Sequence, residues 1–485
     1  MPNTDLDNIV SGAGIVFLGI LISKIVAYLY RLIIARIGPI EYGLFSLGLG
    51  IIGIISGIAF LGLHRGVLRY VSYYRGKEDF ERVKGVIISA LKITFIISFI
   101  FGILLFILSD FISLNYFHNI DLSIILKILA VTLPLNALNE VILNAFLGFQ
   151  TVKYMVISKN IVLNSSRFIL TLILLFFSIS IMGVTVIYAL SFLISLVLSF
   201  YFLEKKVFPI IRSKIKTVYS SKELFSFSWP LVFSGFASLI MGWTDTIMIG
   251  FFKTVKEVGL YNTALPTAQM LYTIPQGLAF LVVPTLTYLF SKKEMAEFKI
   301  VYKTTTKWLF MLNLILLALF ILFSKEIINI LFGAEYSIAS NVLIILSIGL
   351  FVNYFLIFVG YIPIISNRTK LDLFNLSAGA ILNIILNIIL IPKYSIIGAA
   401  IATSISLMII TILYFIQSIR IININPLKLS YIKIIISIII TSLLIKYYSK
   451  NFLKVDNIFD LMIVSILFLL VYSITLILTK SFEKE

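Results

Sequence analysis

Ionisable and amide side chains set inside long apolar runs are the chemistry-bearing feature of this sequence. Lys24, Tyr28 and Arg31 are spaced so that a helix puts all three on one face. Arg167 shares a face with Asn160 and Asn164 in a second run, and Asn136, Glu140 and Asn144 recur at steps of four in a third. Asn262, Pro266, Gln269, Thr273 and Gln276 form another stripe, and Asn383 and Asn387 a shorter one. A charge at the bilayer centre costs at least about 2.5–3.5 kcal/mol on insertion scales, so these groups face a cavity or a helix–helix seam. Cations gathered in such a space attract a phosphate or pyrophosphate, because charge-assisted hydrogen bonds are strong at low dielectric. Asn, Gln and Tyr offer adaptable partners to sugar hydroxyls. A structural reading of the same residues pairs Arg167 with Glu140 on the adjacent span and lets Arg31 snorkel to the outer interface. Asn383 and Asn387 then serve as hydrogen-bonded glue between helices. Asp245, two residues after Trp243 and toward the outer end of its run, is either interfacial or a site for a coupling H⁺ or Na⁺.

The elements that must hold these residues are transmembrane helices. Of 485 residues, 60% are hydrophobic and 13% charged. Soluble domains carry about a quarter charged residues to cover their surface, so this balance requires lipid around most of the chain. There is no Cys, which removes disulfides and thiolate chemistry, and His64 and His118 are the two histidines, too few for a multi-histidine metal site. No Gly-rich loop followed by Lys-Ser or Lys-Thr is present, so ATP hydrolysis by this chain is set aside and no cofactor is expected. Met1–Asn8 carries Asp5 and Asp7 and no Lys or Arg, and the apolar run behind it is too long for a signal-peptide core. It is expected to be a retained first span.

A spanning helix needs about 20 mostly apolar residues. Such runs fall at 9–35, 41–63, 85–109, 121–147, 155–177, 181–203, 225–250, 257–283, 304–324, 338–362, 370–391, 395–418, 431–448 and 457–478. The sequence therefore predicts an all-α, polytopic membrane protein of about fourteen transmembrane helices. The net charge of +17 could suggest nucleic acid, but its distribution argues against that partner. Arg65, Arg69, Arg75, Lys77, Arg82 and Lys84 crowd one loop, and Lys205, Lys206, Arg212, Lys214, Lys216 and Lys222 another on the same side. That bias places both termini in the cytoplasm. The basic loops suit anionic headgroups, and His64 and Arg65 could guard a cavity entrance.

The first twelve spans repeat. Glu41-Tyr42-Gly43-Leu44-Phe45 recurs as Glu257-Val258-Gly259-Leu260-Tyr261, Gly62-Leu63 as Gly277-Leu278, and Ile181-Met182-Gly183 as Ile396-Ile397-Gly398, at one offset to within a residue. Each half has an even number of spans, so the halves are parallel repeats with a substrate site between them. The expected division is 1–209, 210–422 and a two-helix extension 423–485.

Arg69-Tyr70-Val71-Ser72-Tyr73-Tyr74 with Asp79 and Arg82, Glu41-Tyr42-Gly43-Leu44-Phe45-Ser46, and Leu331-Phe332-Gly333-Ala334-Glu335-Tyr336 resemble segments of Wzx-type polysaccharide flippases. These belong to the multidrug/oligosaccharidyl-lipid/polysaccharide exporter superfamily, and the resemblance covers the whole chain. It implies a V-shaped two-lobe transporter that flips lipid-linked oligosaccharide by alternating access, the carrier being a polyprenyl or dolichyl phosphate or pyrophosphate. On this reading Lys24, Tyr28, Arg31, Glu140, Asn164, Arg167 and Gln269 contact substrate, and Asp245 is the coupling candidate. Membrane lipids are the other partner, and the protein acts as a monomer in the cell membrane.

Two other functions compete. A cation-coupled multidrug exporter of the same superfamily would use buried carboxylates, whereas the first span here holds cations and no acid. A polytopic glycosyltransferase would need a catalytic acid/base pair; Asp110, Asp121, Glu326, Glu335 and Asp456 are scattered without a cluster. The chain is therefore expected not to be an enzyme.

Overall fold

Apolar runs of bilayer length, broken by Gly, Pro and charged residues, become helices, because in lipid every backbone amide must be satisfied within its own segment. The computed structural model describes residues 19, 21–177, 179–212, 214–426, 430–479 and 481, without the side chains of 230–235, 237 and 238. Met1–Asn8 and the first part of the expected first span lie outside the described residues, as does the side chain of Pro230.

Contacts divide the chain into two compact units, Met1–Gly259 and Leu260–Glu485. The first contains α1 (21–35), α2 (Pro39–Ala59), α3 (Leu63–Gly76), α4 (Phe80–Asn115), α5 (Asp121–Ala130), α6 (Thr132–Gly148), α7 (Val152–Met155), α8 (Leu163–Leu175), α9 (Ile181–Phe202) and α10 (Ser221–Phe252). A π-helical stretch, Val156–Val162, joins α7 to α8. α10 packs along α2 and α3, so the packing boundary falls after the helix that opens the second sequence repeat. Repeats record duplication; contacts record which faces fit.

α3 lies in a segment read from the sequence as a basic loop. Its Leu63, Val67, Val71 and Tyr74 face inward, packing on α6 and α4, while Arg65 and Arg69 stay exposed. By contrast α4 turns Phe95, Phe99, Ile103, Phe106 and Ile107 outward, the last 66% exposed. A stripe of that size suits lipid and not water.

The glycines of the duplicated motif meet each other. A Cβ on Gly43 would sit 1.9 Å from the Val255 carbonyl oxygen, and one on Gly259 would sit 2.0 Å from that of Pro39. Neither position tolerates a side chain, which is why both copies of the motif carry Gly there.

The second unit contains most of α11 (Val255–Ala268), then α12 (Thr273–Ser291), α13 (Met295–Leu322), α14 (Ser324–Leu331), α15 (Ala339–Phe355), α16 (Ile357–Ile365), α17 (Thr369–Ile422), α18 (Ser430–Asn451) and α19 (Ile458–Leu478). Pro266 cannot donate to the helical ladder, and three residues later Gln269–Tyr272 tightens into a 3₁₀ turn. α17 has 54 residues, which at 1.5 Å per residue far exceeds a hydrocarbon core of about 30 Å. Ser395, at φ 53° and ψ −134°, breaks it into two arms. Amide hydrogen bonds tie those arms together. Asn375 and Gln417 exchange two bonds of 2.8 and 2.9 Å and Asn383 donates to Thr403 at 3.0 Å across the break, while Asn387 on the same arm supports Asn383 by donating to it at 3.1 Å. α18 and α19 pack on each other and on α13.

Among the described residues ten helices are long and apolar enough to span, or eleven with the bent pair α15 and α16, which meet at 41°. That establishes an all-α, multi-pass membrane protein. The fourteen spans expected from the sequence count α17 as two, one on either side of Ser395, and include the first span and the middle of α10, which lie partly outside the described residues.

Candidate functional site

Arg31 and Arg167 open into one cavity of about 210 Å³ inside the first unit. Each wall follows from helical spacing. α2 presents Tyr42, Phe45, Ser46, Leu49, Gly53 and Ser56, all on a single face; α6 presents Thr132, Leu133 and Asn136; α8 presents Asn164 and Arg167. α1 contributes Ala27 and Tyr30 beside Arg31, α9 contributes Tyr188 and Phe192, and α10 contributes Trp243.

The lining is aromatic and cationic. Tyr30, Phe45, Tyr188 and Phe192 form a continuous edge-to-face series with centroid separations of 6.5, 5.6 and 5.3 Å. The Arg167 guanidinium lies 4.1 Å from the Tyr188 ring centre and 4.8 Å from that of Phe192, where the negative π faces stabilise a cation. Its Nε donates to Ser191 Oγ at 3.0 Å. One nitrogen is thereby fixed, leaving the two terminal nitrogens for a ligand. Among the described residues no carboxylate comes within ion-pair distance of Arg31 or Arg167. The buried Tyr30 hydroxyl likewise has no hydrogen-bond partner among them. Asn164 is anchored by a 2.7 Å bond to Ser23 Oγ on α1. No Asp or Glu is among the described lining residues.

The expected Arg167–Glu140 pair does not form. Glu140 Oε1 instead bonds Lys159 Nζ at 2.5 Å. The hairpin register is the physical reason: α6 ends at Gly148 and α7 begins at Val152, so Glu140 and Lys159 lie at similar distances from the turn and at one depth, whereas Arg167 is about 12 Å further along its helix.

The remaining candidates are dispersed. Lys24 and Tyr28 are half-buried on α1, but that helix lines the cavity with Ala27, Tyr30 and Arg31. Asp245 is buried on α10 at 4% exposure, between buried Thr244 and Thr246. Gln269 belongs to the second unit and is exposed on its 3₁₀ turn. His64 is mostly buried at the start of α3, its Nδ1 unpartnered among the described residues. Tyr30, Tyr188, Phe192, Trp243 and Lys159 escaped the sequence reading. The aromatics lack contrast within apolar runs, and the pairing of Lys159 depends on the depth at which the chain turns between α6 and α7.

Residues 9–292 match the family described as polysaccharide biosynthesis protein, and residues 230–389 match the family described as MatE. An uncharacterized membrane protein of Methanocaldococcus jannaschii is 30% identical over 399 residues, covering 78% of this chain and 77% of its own length. A Haloferax volcanii protein named as a low-salt glycan biosynthesis flippase is 31% identical over 40% of this chain and 41% of its own. A Shigella flexneri protein named as an O-antigen transporter is 26% identical over 76% of this chain and 87% of its own. Among solved structures, the lipid II flippase MurJ in an inward closed conformation superposes with a TM-score of 0.72 at 19% identity, covering 95% of this chain and 97% of its own. An inward-facing multidrug resistance MATE family transporter gives 0.71 at 15% identity, covering 84% and 98%.

Proposed function

This chain belongs to the family of polysaccharide biosynthesis proteins, and we propose that it flips a lipid-linked oligosaccharide across the cell membrane by alternating access. The observation that carries the reading is the pairing of Arg31 and Arg167 in one aromatic-walled cavity whose described lining residues include no carboxylate. Two guanidiniums in a low-dielectric space match the phosphate or pyrophosphate of a polyprenyl or dolichyl carrier, since Arg binds phosphate through a planar fork. Asn136, Asn164, Ser46 and the orphaned Tyr30 hydroxyl offer hydrogen bonds to the adjoining sugar. The names of the Haloferax and Shigella relatives point to the same substrate class.

An exporter of cationic drugs would be repelled by this lining, so the observations favour an anionic substrate over that alternative. The Lys/Arg-rich loops orient both termini toward the cytoplasm.

Deleting the gene tests the proposal. Lipid-linked glycan is expected to accumulate on the cytoplasmic leaflet, with rescue by the wild-type protein and not by Arg31→Ala or Arg167→Ala. Normal surface glycan with no such pool would contradict it.

A further inference from the structure

The Glu140–Lys159 pair adjoins the cavity on two helices at once. Glu140 follows the cavity-lining Asn136 by four residues on α6, about 6 Å along the axis. Lys159 precedes the cavity-lining Asn164 by a similar step on the run from α7 to α8. By the orientation proposed above, this is the cytoplasmic side of the cavity.

The pair is not sealed. The Lys159 side chain is 42% exposed and that of Glu140 is 20% exposed. A lysine ammonium has three donors, and the hydrogen bond to Glu140 Oε1 uses one of them. The backbone beneath Lys159 is also unusual. In the π-helical stretch Val156–Val162 the Ser158 carbonyl accepts from the Leu163 N–H and, at 3.0 Å, from the Ser195 hydroxyl on α9. Such stretches interrupt the ordinary ladder and cluster at functional sites. The charged groups acting on the neighbouring His64 are Glu140, Arg65 and Lys159. Cations therefore outnumber the one carboxylate here.

We infer that Lys159 is a receiving cation for a phosphate group, masked by Glu140 until an incoming headgroup displaces the carboxylate. The inference rests on the flippase reading and adds a step to it: the phosphate meets Lys159 at the mouth before reaching Arg31 and Arg167. The ligand chemistry is a phosphate or pyrophosphate, either lipid-borne or free. Glu140 excludes weak anions by competing for the same ammonium, so only a multiply charged headgroup pulls Lys159 away.

The two partners should then have opposite effects. Full-length protein in lipid nanodiscs is titrated with farnesyl pyrophosphate, inorganic pyrophosphate and farnesol, with the melting temperature of each variant recorded. Glu140→Gln is expected to tighten pyrophosphate binding by about tenfold and Lys159→Gln to weaken it by about tenfold, the scale of one charge-assisted bond. The double variant should behave as Lys159→Gln, Lys159→Arg should retain binding, and farnesol should not respond. A response confined to farnesyl pyrophosphate identifies a lipid-borne headgroup; an equal response to inorganic pyrophosphate shows that phosphate alone suffices. If Glu140→Gln weakens binding as Lys159→Gln does, or leaves it unchanged, the pair is a structural brace and the inference fails. Should Lys159→Gln not fold, Glu140→Gln and Lys159→Arg still decide the matter. Absence of pyrophosphate binding by the wild type would overturn the flippase reading and this inference together, whereas binding that Glu140→Gln fails to tighten overturns this inference alone.

Discussion

Arg167 is held by stacking on two rings and by one hydrogen bond, yet no described carboxylate neutralises it. Lysine keeps the charge but loses the planar stack and the Nε bond. Arg167→Lys should therefore weaken pyrophosphate binding by about tenfold, the upper range of a desolvated cation–π contact, with the protein still folded by size-exclusion profile and melting temperature. Tyr30 allows a complementary experiment. Its hydroxyl is buried without a described partner, and deleting an unsatisfied polar atom is close to neutral for folding. Tyr30→Phe should leave the melting temperature unchanged or slightly raised while lowering affinity for a sugar-bearing pyrophosphate. Equal binding would remove the hydroxyl from the substrate path. Arg31, Arg167 and Asn164 were legible in the sequence because charge and amide groups stand out against an apolar run. The partner of Glu140 was not. Which of two cations it meets depends on where the chain turns between α6 and α7, which sets the depth of each residue without altering composition.

At the level of elements, boundaries followed from apolar length: α2, α4, α9, α18 and α19 fall close to the runs that predict them, and α5 with α6 together fill the run 121–147. α3 was hidden because its charged face dominates the composition of 64–84, although Leu63, Val67 and Val71 at steps of four carried the helical signal. The break at Ser395 was legible only as a boundary between runs, since left-handed φ at a serine has no composition marker. Close approach explains the duplicated Glu-x-Gly-Leu motif better than turn chemistry does. Gly43→Val or Gly259→Val would drive a side chain into a carbonyl about 2 Å away, so both variants should fail to yield folded protein in detergent. Gly76→Ala is the control. Nothing lies within 4 Å of a Cβ there, and the expected change is neutral to slightly stabilising, about 0.4–1 kcal/mol at most, by restricting the unfolded chain. Wild-type yield and melting temperature for Gly43→Val would refute the packing account.

For the whole molecule, large apolar side chains face outward along the spans as well as filling the interior, which suits lipid and not water. Membership of the polysaccharide biosynthesis family, the membrane-spanning helices and a cavity with two arginines and no carboxylate among its described lining residues are the observations on which the proposal of anionic-lipid transport rests. At this scale contacts group α10 with α2 and α3, whose faces it fits, while its place in the sequence repeat groups it with the helices that follow. The most direct measurement reconstitutes the full-length protein in vesicles carrying a fluorescent polyprenyl-pyrophosphate oligosaccharide, with an external glycosidase reporting which headgroups have crossed to the outer leaflet. The wild type should render the inner-leaflet pool accessible, and Arg167→Ala, equally well folded, should lose most of that activity. Accessibility no faster than in protein-free vesicles, or unchanged by Arg167→Ala, would contradict the account.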